Sequence, residues 1–241
     1  MGGAGSQLRT RGRGREDNKQ HIKNLPDELC NLTELRELDI SYNALTSIPA
    51  NIGEMKNLER LVAAYNKITY LPKSLTTLTN LLSINLRGNA LTSLPTNFGQ
   101  LQSLKEIDLN ENPLVRPPKI VCEGGTLTPI EQYLKYAYEK DKKFLKKVLQ
   151  LIPNHVSPED FGYFCSKLHL PASDITALEK SRLELKEKIK EALQWWENNR
   201  ASTLEPAEAL DELIRTLYKA DLYGITSIIK SLRMYEHAIR F

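Results

Sequence analysis

Five prolines, Pro26, Pro49, Pro72, Pro95 and Pro118, follow one another at steps of 23 residues, and Asn43, Asn66, Asn89 and Asn112 keep the same step. A fixed period of that length leaves a chain few ways to fold. One repeat cannot bury its apolar side chains alone, so each must stack on the next, and the product is a quasi-one-dimensional solenoid with an extended concave face. Such a face suits the holding of another protein better than the enclosure of a reaction.

Aligned on the asparagines, the apolar positions repeat as well. The first unit carries Leu32, Leu35, Leu38, Ile40, Asn43, Leu45, Ile48, Pro49 and Ile52. The second carries Met55, Leu58, Leu61, Ala63, Asn66, Ile68, Leu71, Pro72 and Leu75. The third runs from Leu78 through Leu86, Asn89 and Pro95 to Phe98, and the fourth from Leu101 through Leu109 and Asn112 to Val121, with Pro117 in place of a leucine. This pattern resembles the leucine-rich repeat, in the class whose variable half reads Leu-Pro-x-x-Ile-Gly-x-Leu. The resemblance covers residues 20–121.

Elementary geometry accounts for the pattern. Leu38 and Ile40 alternate, so a short strand points both inward. The asparagine turns the chain and can satisfy backbone groups of stacked turns. The proline stiffens the convex side, where no ladder bond is lost. Side chains between the buried leucines then face outward on the concave strands. They are Glu37, Asp39 and Ser41, Arg60, Val62 and Ala64, Ser83, Asn85 and Arg87, and Glu106, Asp108 and Asn110. These are the candidate partner-binding residues, with Asp39, Val62, Asn85 and Asp108 expected to form one row.

The ends of the solenoid differ. Ile22, Leu25, Pro26 and Leu29 make a partial repeat, but residues 8–19 are polar and basic, so its strand is expected to be absent; a truncated form of a longer repeat protein is the favoured reading, beside a fragment of a longer gene product and an exposed end that self-associates. Residues 1–19 read as a basic, flexible tail. Met1-Gly2-Gly3-Ala4-Gly5-Ser6 fits the N-myristoylation pattern, which makes Gly2 a candidate lipidation site. Arg9, Arg11, Arg13 and Arg15 would supply the second, basic membrane signal. The leucine-rich repeats, four plus one partial, are assigned to residues 20–122. After them, Thr128-Pro129-Ile130-Glu131 reads as a helix start. Residues 123–141 are therefore taken as a cap helix and linker.

From Lys142 the period changes to helical stripes. Leu145, Val148, Leu149 and Ile152 fall at i, i+3, i+4 and i+7, as do Phe161, Phe164, Cys165 and Leu168, then Leu210, Leu213, Ile214 and Leu217, and Ile225, Ile228, Ile229 and Leu232. Leu185, Ile189, Ala192, Leu193 and Trp196 form a longer stripe. Six short helices over residues 142–241 predict a compact antiparallel bundle. The order Phe161, Phe164, Cys165, Leu168, His169, Leu170, Asp174, Ile175, then Leu193-Gln194-Trp195-Trp196, resembles a death domain, with phenylalanine where that family has tryptophan and His169 where it has glycine. The fold class expected for the whole chain is an α/β leucine-rich-repeat solenoid followed by an all-α six-helix death-fold bundle.

The death-domain resemblance implies no chemistry. It implies assembly with other death folds, or with itself, through charged helix surfaces. The candidates are Lys142, Lys143, Lys146 and Lys147 on the first helix and Lys186, Lys188 and Lys190 on the fourth. Acidic candidates are Glu205, Glu208, Asp211 and Glu212 on the fifth, with Asp160 and Asp174. Opposite charges on different faces suit heterologous, head-to-tail contacts.

Composition narrows the function classes. With 33 basic and 30 acidic residues the net charge is +3, so nothing global points to nucleic acid. Three cysteines, Cys30, Cys122 and Cys165, lack metal-ligand spacing and fit a reducing, cytoplasmic compartment. No metal or cofactor is expected, and no catalytic residue is assigned. Cys165 and His169 lie four apart, but a thiol on the apolar face of its helix packs rather than reacts. The expected function is an intracellular, non-enzymatic signalling adaptor in apoptotic or inflammatory signalling, with protein partners and with membrane contact only through a lipidated N-terminus. Two alternatives stand beside it. The repeat class also resembles scaffolds for small GTPases or phosphatases, with the helical half as a passive cap. Bacterial ubiquitin-ligase effectors join similar modules, but their Cys-x-Asp is missing here, where Ser166 and Lys167 follow Cys165.

Overall fold

The structure, a computed structural model, describes residues 6–9 and 21–238. The chain divides into two compact units, Met1–Tyr136 and Ala137–Phe241.

The first unit is a solenoid built on one parallel sheet of five strands in sequence order: β1 (Ser6–Arg9), β2 (Leu35–Asp39), β3 (Arg60–Val62), β4 (Ser83–Asn85) and β5 (Glu106–Asp108). From β2 to β5 the register advances one repeat per strand, pairing Leu38 with Leu61, Leu61 with Ile84 and Ile84 with Ile107. All four of these side chains are buried in one apolar column. On the convex side each coil makes a short 3-10 turn after its proline. Leu29, Ile52, Leu75 and Phe98 donate their amides to the carbonyls of Pro26, Pro49, Pro72 and Pro95 at 3.0–3.1 Å. Coils meet closely there: a Cβ on Gly53 would lie 2.6 Å from the Ser74 carbonyl oxygen. That approach explains the Ile-Gly pair of the repeat.

The asparagines join coil to coil. The Asn89 carboxamide oxygen accepts from the Ile68 amide of the preceding coil at 3.0 Å. Its Nδ2 donates to the Ala63 carbonyl of that coil at 2.9 Å and to the Leu86 carbonyl of its own at 2.8 Å. Asn66 repeats this with Leu45, Ile40 and Ala63. Asn112 repeats it with Leu91, Leu86 and Leu109. At the first coil Asn43 accepts from Ile22, and its side chain is only half-buried.

Two differences from the sequence reading appear in this unit. Residues 6–9 lie inside the segment expected to be tail, and the partial repeat was expected to lack a strand, yet Ser6–Arg9 forms β1 beside β2. The strand is out of phase: Leu8 pairs with Leu38, thirty residues on, whereas the in-phase residue is Arg15. Leu8 packs, partly buried, against the solenoid core. An open strand edge with unpaired backbone groups accepts such a segment even when the spacing is irregular. The second difference is at the far end. The cap helix and the first bundle helix, expected to be separate at position 142, are one helix, α2 (Leu127–Leu151), which follows a short α1 (Lys119–Cys122). After Pro129, no glycine or proline occurs before Pro153, so nothing stops the helix. It starts one residue before Thr128, so that threonine is not the cap.

The second unit contains the C-terminal part of α2 and five further helices: α3 (Phe161–Lys167), α4 (Ala172–Lys180), α5 (Leu185–Asn199), α6 (Pro206–Lys219) and α7 (Tyr223–Ala238). Its core gathers the stripes read from the sequence around Trp196, which is 1% exposed, with Phe164, Val148, Ile189, Leu213 and Ile229. The Asp160 amide donates to Ser157 Oγ at 3.1 Å ahead of α3. Glu205 and Glu208 form a capping box at the start of α6, with Pro206 at the first helical position.

The ladder makes a direct prediction. Asn89→Ala strands the buried Ile68 amide, at about 1–3 kcal/mol for a buried group left unsatisfied, and takes one of two side-chain donors from each of the Ala63 and Leu86 carbonyls, which keep Asn66 and Asn112. Urea unfolding followed by circular dichroism should show it destabilised by about 2 kcal/mol or more, and the half-buried Asn43→Ala by clearly less.

Candidate interaction surfaces

The register aligns the outward positions of the concave face into rows: Glu37, Arg60, Ser83 and Glu106, then Asp39, Val62, Asn85 and Asp108. Not all twelve expected residues reach solvent. Arg60, Glu106 and Asn110 are exposed, and Glu37, Val62, Ser83, Asn85, Arg87 and Asp108 are half-buried. Asp39, Ser41 and Ala64 are buried, which corrects the expectation for those three. Asp39 folds back on its own strand end and accepts from the Ser41 hydroxyl at 2.5 Å and the Ser41 amide at 3.1 Å. Ala64 is too short to rise above its neighbours.

A row beside the strands was not foreseen. Tyr42, Tyr65, Gly88 and Glu111 occupy the same place in successive coils and all have positive φ, between 54° and 66°. Tyr42, Tyr65 and Gly88 donate their amides to the carbonyls of Ala64, Arg87 and Asn110 in the next coil. The left-handed turn that follows lets the ladder asparagine point inward. Tyr42 and Tyr65 stack with ring centroids 4.9 Å apart and planes at 21°. A Cβ on Gly88 would fall 2.5 Å from the Tyr65 ring, so the glycine supplies both the left-handed backbone and the seat for that ring. Arg87 bonds Glu111 through Nε at 3.0 Å, and Glu111 and Tyr65 raise the guanidinium's pKa further. The signal for this row was the residue before each ladder asparagine, at the same 23-residue step.

On the helical unit the two charge signs behave differently. Every acidic candidate of α6 is engaged within the unit. Glu205 and Glu208 hold the capping box, Asp211 pairs with Arg233 at 2.6 Å and Glu212 with Arg200 at 3.3 Å. Asp160 accepts from the Ser157 hydroxyl at 2.6 Å and Asp174 from Ser173 at 3.1 Å. Among the basic candidates, Lys188 donates to the Glu179 carbonyl at 2.8 Å and Lys190 pairs with Glu187 at 2.7 Å. Lys142, Lys143, Lys146, Lys147 and Lys186 are exposed. Lys142, Lys146 and Lys190 border a groove floored by Leu145, Leu149 and Leu193.

Comparison with known proteins follows the same division. The leucine-rich-repeat family models match residues 34–55 and 56–114, and the model described as the Lrrd1 death domain matches residues 145–233. The chain is a leucine-rich-repeat solenoid followed by a death domain. Solved structures similar to it include a leucine-rich-repeat protein of Leptospira interrogans, 37% identical with a TM-score of 0.42, covering 46% of this chain and 28% of that one. An internalin of Listeria monocytogenes is 26% identical with a TM-score of 0.35, covering 39% of this chain and 27% of its own. An adenylate cyclase of Podospora anserina is 43% identical over 44 residues, 18% of this chain and 2% of that protein. The chain thus spans a small part of each of these relatives.

The death domain also decides the cysteine–histidine pair. Cys165 is fully buried, while His169 is exposed in a left-handed turn with φ of 64°. Burial pushes the Cys165 thiol up to about 12, and the Glu179 carboxylate adds to the shift. The thiol is therefore neutral and out of reach of a substrate at ordinary pH. No group of three or more histidine, cysteine, aspartate or glutamate side chains able to hold a metal occurs among the described residues. Among them, too, no helix is long and apolar enough to cross a membrane. Gly2 lies outside the described residues.

Folding raises the Cys165 pKa, so its contribution to stability is complete below pH 9.0 and is lost as pH climbs toward about 12. Iodoacetamide at pH 8 should label Cys165 in the native chain roughly a thousandfold more slowly than in the urea-unfolded chain. Peptide mass spectrometry measures the two rates, and equal rates would contradict the burial.

Proposed function

We propose that this protein is a cytoplasmic, non-enzymatic adaptor in apoptotic or inflammatory signalling. The solenoid holds one protein on its concave strands, and the death domain joins a death-fold protein through its lysine-bearing helices. The observation that carries this reading is the pairing of two interaction modules in one chain, each with its own core and its own charged outer face. On the solenoid that face is the set of rows from Glu37 to Glu106 and from Val62 to Asp108. On the death domain it is the lysines of α2 and α5. Membrane attachment enters this reading only through acylation of Gly2.

Paired variants of the full chain test it. Glu106→Arg with Asp108→Arg alters the solenoid face, and Lys143→Glu with Lys186→Glu alters the death domain; all four side chains lie at the surface or partly so. Tagged wild type should capture death-fold proteins from cell lysate, read by mass spectrometry. The solenoid pair should keep them and lose a second set of proteins, and the death-domain pair should do the reverse. If death-fold proteins never appear, and small GTPases or phosphatases appear and vanish with the solenoid pair, the chain is a repeat scaffold whose helical half is a cap.

A further inference from the structure

We infer that the N-terminal end of the solenoid is a self-association face, on which two copies of this chain meet head to head. The inference concerns the repeat unit alone and goes beyond the adaptor reading.

Burial along the repeat locates the face. Leu32 is 47% exposed, whereas Met55, Leu78 and Leu101, at the same place in the next three coils, are 0% exposed. Ile22, Leu25 and Leu29 are half-buried, and their equivalents Leu45, Ile48 and Ile52 are buried. In later coils the coil before covers these positions. In the first coil that cover is incomplete. Strand β1 lies on the sheet side, is four residues long, and leaves its own Leu8 half-buried against the core. Leu8, Ile22, Leu25, Leu29 and Leu32 thus share one end of the solenoid, and at least four of them belong to positions that bury fully once a coil stacks on them.

The occupant follows from the chemistry of stacking. Coil against coil is the contact this solenoid makes along its whole length, so an end that lacks one is best complemented by another coil of leucines. The far end of a second copy cannot supply it. There Ile130 and Leu134 of α2 are fully buried in the solenoid core, with Leu127 and Tyr133 packed beside them, so the last coil is closed. What remains on a second copy is its own first coil. The contact is therefore isologous, with a two-fold axis between the two ends, and it stops at two chains.

Backbone and charge point the same way. β1 is the end strand of the sheet, and among the described residues no strand pairs with its outer side. A two-fold axis beside it sets β1 of one copy antiparallel to β1 of the other, a pairing that strand edges favour. Lys23, Asp27 and Glu28 of the first coil are exposed and carry both signs. A copy can bring acid to base across the axis, whereas a uniformly acidic or basic partner would meet like charge. The face is small beside the roughly 20–30 residues a side of a stable interface, so the pairing is a reversible equilibrium.

Sedimentation velocity of the full chain over a rising concentration series tests this. The wild type should pass from monomer to dimer and go no further. Leu32→Glu, at a position already half open to water, places a charge in the apolar contact and should weaken the dimer at least about tenfold. Lys142→Glu with Lys146→Glu, on the helical unit, should leave it unchanged, and circular dichroism checks that each variant is folded. Hydrogen exchange of the wild type reads the face without any substitution. Amides of residues 22–32 should exchange more slowly as concentration rises, and those of residues 83–89 should not change. A monomer at every concentration overturns the inference, as does a dimer without concentration-dependent protection of residues 22–32. Loss of the dimer with the lysine pair but not with Leu32→Glu assigns self-association to the helical unit and also overturns it. Growth beyond the dimer contradicts the closed, head-to-head contact.

Discussion

The side-chain amide of one asparagine per coil governs the solenoid. It accepts from the preceding coil and donates both to that coil and to its own, so the backbone groups exposed where the chain turns are satisfied without water. The strand can therefore be as short as three residues, as it is from β3 to β5, and still hold register. Register in turn decides which side chains share a row on the concave face. The recognition surface is thus set from inside by three buried amides, Asn66, Asn89 and Asn112, and a break in one of them would disturb rows on both sides.

The same constraint explains the tyrosine row. The chain must enter a left-handed turn just before each ladder asparagine, and a tyrosine in that conformation carries a cost of roughly 1–2 kcal/mol. Stacking of Tyr42 on Tyr65, and of Tyr65 on the bare backbone of Gly88, offsets part of it. The death domain follows a different logic. It has no repeat to impose rows, and its surface is divided by which charges the fold consumes. Acids are spent on a helix cap and on ties to Arg200 and Arg233, while several lysines of α2 stay at the surface.

Much of this was legible in the sequence because its cause is periodic. The step of 23 residues locates the column from Leu38 to Ile107 and the asparagine ladder, and the stripes at i, i+3, i+4 and i+7 locate the bundle core around Trp196. What escaped was aperiodic or depended on partners far along the chain. Strand β1 sits seven residues out of phase and is held by a sheet edge, not by a pattern of its own. The continuity of α2 follows from the lack of a breaker, which is harder to see than a breaker. Burial of Asp39, Ser41 and Ala64 follows from a local side-chain bond and a short side chain, which alternation treats as outward positions. The pairing of Asp211 with Arg233 joins residues on different helices and has no local mark.

Two separate modules on one chain make sense as an adaptor only if both can be filled at once. The most direct measurement is a two-step purification of the full chain from cells. The first step uses a tag on the chain, and the second an antibody to a protein whose capture depends on Glu106 and Asp108. The account predicts that the death-fold protein whose capture depends on Lys143 and Lys186 co-elutes in the second step. Recovery of only one partner at a time, whichever is selected, would contradict it.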